Sequence, residues 1–210
     1  MATLTSDPAI AEPAPVAEVT PAGDPAILGL PIFVVGSIAL GLSLVGYVPA
    51  TAGGAIVPII FAATGLGLVM STVWAASLAQ TMVACIFGLF AGFWLSFSIL
   101  DLALFHNWLL IPAGAVTKSV ALFLISWAIV MAALTLATLR LPSGFTAVIA
   151  LVVLALVLRT IGVLDASTGL DKAAGYVVLV FAALGIYLFL NAADLATGGR
   201  GFPIGAPLRR

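Results

Sequence analysis

Between Asp24 and Asp101 the chain carries no Asp, Glu, Lys, Arg or His. The 76 residues Pro25–Leu100 are therefore uncharged throughout, and most are apolar. As one helix they would extend roughly 114 Å at about 1.5 Å per residue. A bilayer core is only about 30 Å thick, so the run must fold back on itself as several crossings. No soluble domain keeps so long a stretch free of surface charge. The chain is read as an integral membrane protein.

The rest of the sequence agrees. Only 7% of the 210 residues are charged and 63% are hydrophobic, against about 25% charged in soluble domains. The formal net charge of −1 and the lack of a basic run give no reason to expect nucleic acid. Cys85 is the sole cysteine and His106 the sole histidine. No intrachain disulfide can form, and no Cys/His/carboxylate cluster points to a metal, haem or other cofactor. Residues 1–24 differ in kind, being rich in Ala and Pro, with acidic residues and no Lys or Arg. They lack the basic start and apolar stretch of a secretory signal, and too little of them is apolar to offset ordering entropy, which predicts a disordered acidic tail.

Glycine, proline and the few charges divide the remainder into six apolar segments, near Ile27–Val48, Ala55–Trp74, Met82–Leu100, Ser119–Leu139, Phe145–Leu164 and Ala173–Asn191. Each has the length a tilted helix needs to span. None shows the alternation of a β-barrel strand. The expectation is an all-α bundle of six transmembrane helices over residues 25–194, with a tail over 195–210. With six spans both termini share one side. That side holds Arg140, Arg200, Arg209 and Arg210, against Lys118, Arg159 and Lys172 opposite. The small excess favours cytoplasmic termini. Six apolar helices with short loops suit a bacterial inner membrane. Tyr47, Trp74 and Trp108, near span ends, fit interfacial anchors.

No ionisable residue falls at the centre of any span. Arg159 lies about a turn and a half from the end of the fifth, where it can snorkel to the interface. The alternative is that it faces an aqueous vestibule and attracts anions. General acid–base catalysis is hard to build without a buried carboxylate or histidine, so an enzyme is not expected. A proton relay through the centre is equally hard, whereas a passive or loosely coupled pore is easy. Neutral hydroxyls such as Ser37, Thr64, Ser71, Ser98 and Thr138 either bond their own helix or a neighbour, or as a set line a narrow polar path. Gly29, Gly36 and Ser43 recur every seven residues, and Gly88-Leu-Phe-Ala-Gly92 is a GxxxG. Both read as sites of close helix approach, within or between subunits.

At the start of the first span stands Asp24-Pro25-Ala26-Ile27-Leu28-Gly29-Leu30-Pro31-Ile32-Phe33. It resembles the signature of the acetate uptake transporter family, which includes the succinate–acetate permeases: Asn-Pro-Ala-Pro-Leu-Gly-Leu, any residue, a small residue, then Phe. Pro25, Ala26, Leu28, Gly29, Leu30 and Phe33 match; Asp24, Ile27 and Ile32 depart. Val45-Gly46-Tyr47, Gly92-Phe93-Trp94, Gly199-Arg200 and Pro203-Ile204-Gly205 also fall where the family has similar residues. The resemblance covers about 24–205.

It implies a six-helix protomer, a hexameric ring, and a monocarboxylate path through each protomer. In that family the path narrows at an aromatic ring of the first helix, a tyrosine of the third and an aliphatic residue of the fifth. The matching positions are Phe33, Phe90 and Val152. Phe90 lacks the hydroxyl of the family tyrosine, and Asp24 places a carboxyl where the family has an amide, which bears on acetate specificity. The residues themselves favour Asp24 as a cap for the helix that Pro25 begins. The leading expectation is a channel or transporter for acetate or a related small carboxylate, succinate included. The alternative is a structural or assembly protein without transport activity.

Overall fold

The computed structural model describes residues 23–209, so the expected tail over 1–24 falls outside them apart from Gly23 and Asp24. Six helices in this region are long and apolar enough to cross a membrane. α1 runs Ala26–Val45. The second span, Thr51–Ser77, begins as 3₁₀-helix, widens into a π-helix over Ile59–Leu66 and ends as α2, Gly67–Ser77. α3 is Thr81–Phe105, α4 Val116–Ala137, α5 Ser143–Leu164 and α6 Thr168–Ala196.

Several boundaries differ from the sequence reading for identifiable reasons. α1 stops at Val45 because Gly46 turns left-handed, with φ 90°. Its Tyr47 N–H returns to the Leu42 carbonyl at 2.9 Å and closes a glycine C-cap. α3 continues a turn past Asp101, and α6 starts before Asp171. A charge reads as a span end only if it must leave the helix, whereas in the last turn it can sit at the interface. The irregular second span follows Gly53-Gly54 and Pro58. These residues weaken the first turns and remove a backbone donor.

Neighbouring helices approach each other in two ways. α1 packs closely along α6, and glycines permit it: a β-carbon at Gly41 would press on Leu179, one at Gly175 on Leu44, and one at Gly185 on Val34. Lipid tails give helices no hydrophobic drive to associate, so this contact density supplies the attraction. α3 and α4 are instead held apart by rings. Phe93 lies 5.6 Å from Trp127 and 5.8 Å from Phe123, and Phe97 lies 5.9 Å from Phe123.

Gly36 is covered by Thr64 of the π-helix, Gly88 faces Thr72, and Gly92 lies against the Trp127 edge. These small residues serve contacts inside the protomer. At the end that carries the termini, an extended C-terminal segment straps the bundle. The Gly144 N–H donates to the Ile204 carbonyl and the Arg209 N–H to the Leu139 carbonyl, both at 2.9 Å. Phe202 N–H donates to Asn191 Oδ1 at 2.6 Å.

Candidate functional site

A cavity of about 160 Å³ opens into the bundle between α1, α3 and α5. A water molecule takes about 30 Å³ in the liquid, so the space suits a few waters or one small carboxylate. Asp24 and Ala26 lie at its mouth, with Leu141 and Pro142 of the α4–α5 turn. Phe33, Phe87, Phe90, Val148 and Ile149 wall it. Its lining is apolar except for Asp24.

The helix spacing explains the arrangement. Ala26, Leu30 and Phe33 step by four and three along one face of α1. Phe87 and Phe90 do the same on α3, and Val148 with Val152 on α5. Phe33 and Phe90 meet with ring centroids 4.7 Å apart and planes tilted by 57°. Phe181 of α6 stacks on Phe33 at 5.7 Å. All three rings are buried, at 4%, 5% and 3% exposure, so none of them faces lipid. Val152 is buried one turn beyond Val148 and belongs to the same core.

At the mouth, the Asp24 carboxylate accepts the Ala26 N–H at 2.9 Å. It thereby satisfies one of the free amides at the start of α1. Pro25, buried beside it, has no N–H to lose. Gly29 gives Phe87 its space, since a β-carbon there would collide with the ring. Leu28 is only half-buried and does not line the cavity, whereas Leu30 does. The signature therefore builds the mouth of the cavity and one wall of it.

The hydroxyls follow the local reading. Ser37 donates to the Phe33 carbonyl, Ser71 to Gly67 and Ser126 to Leu122, each within its own helix. Thr64 crosses to the Ile32 carbonyl at 3.1 Å. With their protons committed, these groups do not form a polar ladder of donors. Among the described residues the exception in the core is Trp94, whose Nε1–H has no acceptor although the residue is 1% exposed.

Arg159 does not reach the interface alone. Its guanidinium pairs with the Asp171 carboxylate of α6. Sequence reasoning missed Phe181 and Asp171. A signal existed, because Asp171, Ala174, Val178 and Phe181 fall three or four apart, one face of a helix that begins earlier than the polar residues suggest. No group of His, Cys, Asp and Glu among the described residues could hold a metal.

Comparison with known proteins gives this arrangement its context. Among curated proteins, none matches the chain by sequence. A solved structure titled "Structure of the bacterial acetate channel SatP" superposes with a TM-score of 0.77 at 22% identity, over 88% of this chain and 100% of that one. That likeness establishes the shared fold. The sequence profile of the GPR1/FUN34/yaaH family matches residues 6–202. This chain is a member of the GPR1/FUN34/yaaH family, an integral membrane protein with six membrane-length helices among its described residues.

Proposed function

We propose that the chain forms a channel or transporter for acetate or a related small carboxylate, succinate among the candidates, and that each protomer carries its own path. The observation that carries this reading is the apolar cavity that begins at the family signature and ends on the Phe33–Phe90 ring pair. Family membership and the fold shared with an acetate channel support the substrate class. Phe33, Phe90 and Val152 form the constriction, and Phe181 backs Phe33. An apolar closure of this kind gates by excluding water and hydrated ions, so it favours a solute that can shed its charge.

The family resemblance supports a hexameric ring. The α4 span is the least buried of the six, and so has the most surface to offer lipid or a neighbour. The arginine balance supports cytoplasmic termini in a bacterial inner membrane. Neither a catalytic step nor a cofactor enters this reading.

Uptake of labelled acetate into proteoliposomes tests the proposal. Saturable uptake above that of protein-free liposomes, reduced by excess unlabelled acetate, is the expected result. Uptake equal to the protein-free control would leave a structural or assembly role. Native mass measurement in nanodiscs tests the ring, and a monomer there overturns it.

A further inference from the structure

The helix faces that line the cavity do not end at Phe33 and Phe90. On α3 the series Phe87, Phe90, Trp94, Ser98, Asp101 advances by three or four residues throughout, and all but Asp101 are buried. On α5, Val148 and Val152 continue to Leu156 and then Arg159. On α6, Phe181 leads back through Val178 and Ala174 to Asp171. Three separate helices thus carry one face from the cavity to the end opposite the termini, and on each the buried series stops at a charge.

Two of those charges meet, Arg159 pairing with Asp171. Gly162, nearly a turn after Arg159, lets α6 close in, since a β-carbon there would collide with the Asp171 carboxylate. The pair is not sealed, because the side chains of Arg159 and Asp171 are 32% and 28% exposed. A guanidinium presents paired donors matched to a carboxylate, and one of its nitrogens already lies against Asp171, which carries the functional group that a monocarboxylate would bring. Deeper on the same α3 face, Trp94 holds a buried N–H without an acceptor. A buried donor left unpaired costs about 1–3 kcal/mol, and a passing carboxyl oxygen would satisfy it.

We infer that Arg159 is the docking residue for the permeant carboxylate at the mouth opposite the termini, with Asp171 as a resident counter-carboxylate that the permeant displaces. The inference rests on the transport reading above but adds a site that reading does not contain. It separates from a merely structural ion pair by sign. If the pair only ties α5 to α6, then Arg159→Gln and Asp171→Asn both weaken the same element. If Asp171 competes with the permeant, the two substitutions act in opposite directions.

The experiment measures half-saturating acetate for uptake in proteoliposomes, and in parallel binding of ¹³C-acetate to the nanodisc protein by NMR. Asp171→Asn should lower the half-saturating concentration several-fold, and Arg159→Gln should raise it several-fold. Arg159→Lys should recover part of the loss. If Arg159→Gln fails to fold because it strands the Asp171 carboxylate, the double variant Arg159→Gln/Asp171→Asn removes the pair without leaving Asp171 charged. It should bind acetate as weakly as the Arg159 loss predicts. Shifts in the same direction, no shift in either variant, or a double variant that binds like the wild type would overturn the inference. Arg159-dependent acetate binding in a wild-type protein that shows no uptake would sustain the docking site and sink the transport reading.

Discussion

Phe33 packs against two rings, Phe90 at 4.7 Å and Phe181 at 5.7 Å, and lines a cavity that already exists beside it. Truncating a phenylalanine in a closed core costs about 3–5 kcal/mol, largely through the void it leaves. Here part of that void is already present, so Phe33→Ala should cost less than this in stability. Selectivity should change more. The uptake ratio of a bulkier carboxylate such as lactate to acetate should rise, and an unchanged ratio would remove Phe33 from the constriction. Phe90→Tyr is the complementary change. It returns a hydroxyl beside a ring pair that has none, and a buried hydroxyl needs a partner. It should raise acetate uptake if the permeant accepts that bond. If nothing accepts it, lower thermal stability with no gain in uptake is the outcome.

Among the elements, the second span shows what the sequence could and could not reveal. Its apolar length was legible, because the missing charges and the flanking glycines define a crossing. Its π-helical stretch was not, and Thr64 within that stretch reaches the Ile32 carbonyl of α1 at 3.1 Å. That bond joins residues far apart in sequence, and no local pattern encodes it. Gly36 is the α1 side of the same contact, where a larger side chain must displace Thr64. Gly92 meets only the edge of Trp127, with 3.3 Å available to a β-carbon. Overpacking costs about 1–3 kcal/mol where neighbours cannot yield. Gly36→Leu should therefore lower the unfolding temperature in detergent more than Gly92→Leu does, and the reverse order would argue against the π-helix contact.

The C-terminal strap is an element of a different kind. It holds the α4–α5 turn, whose Leu141 and Pro142 line the cavity mouth. Asn191, 6% exposed, anchors it by accepting the Phe202 N–H at 2.6 Å, and Tyr187 donates to the Pro203 carbonyl at 2.8 Å. Losing one buried partner leaves the other unsatisfied, at a cost of about 1–3 kcal/mol. Asn191→Leu should speed proteolytic cleavage near Gly198–Gly201 while the six spans stay intact. Cleavage at the wild-type rate would mean the remaining strap contacts suffice. The sequence placed Pro203-Ile204-Gly205 by resemblance alone, since an extended segment without apolar periodicity gives no sign of what it packs against.

For the whole molecule, the decisive feature is where charge is absent. Among the described residues the charges near the proposed path sit at its two ends, Asp24 at one and Asp101, Arg159 and Asp171 at the other, with the proposed Phe33–Phe90 closure between them. An ionised carboxylate entering that closure would lose its hydration with no fixed countercharge to replace it, a cost far above that of a neutral, hydrogen-bonding acid. Small carboxylic acids titrate near the ~4 of side-chain carboxyls, so the permeant can supply its own proton. The neutral fraction grows as pH falls toward that value. Uptake at a fixed total acetate concentration should therefore rise as external pH is lowered from neutrality. It should still do so in a variant with Asp24, Asp101 and Asp171 changed to Asn, because none of these groups lies in the closure. If that variant keeps uptake at neutral pH but loses the rise in acid, one of the three carboxylates carries the coupled proton, and the permeant does not cross as its own acid.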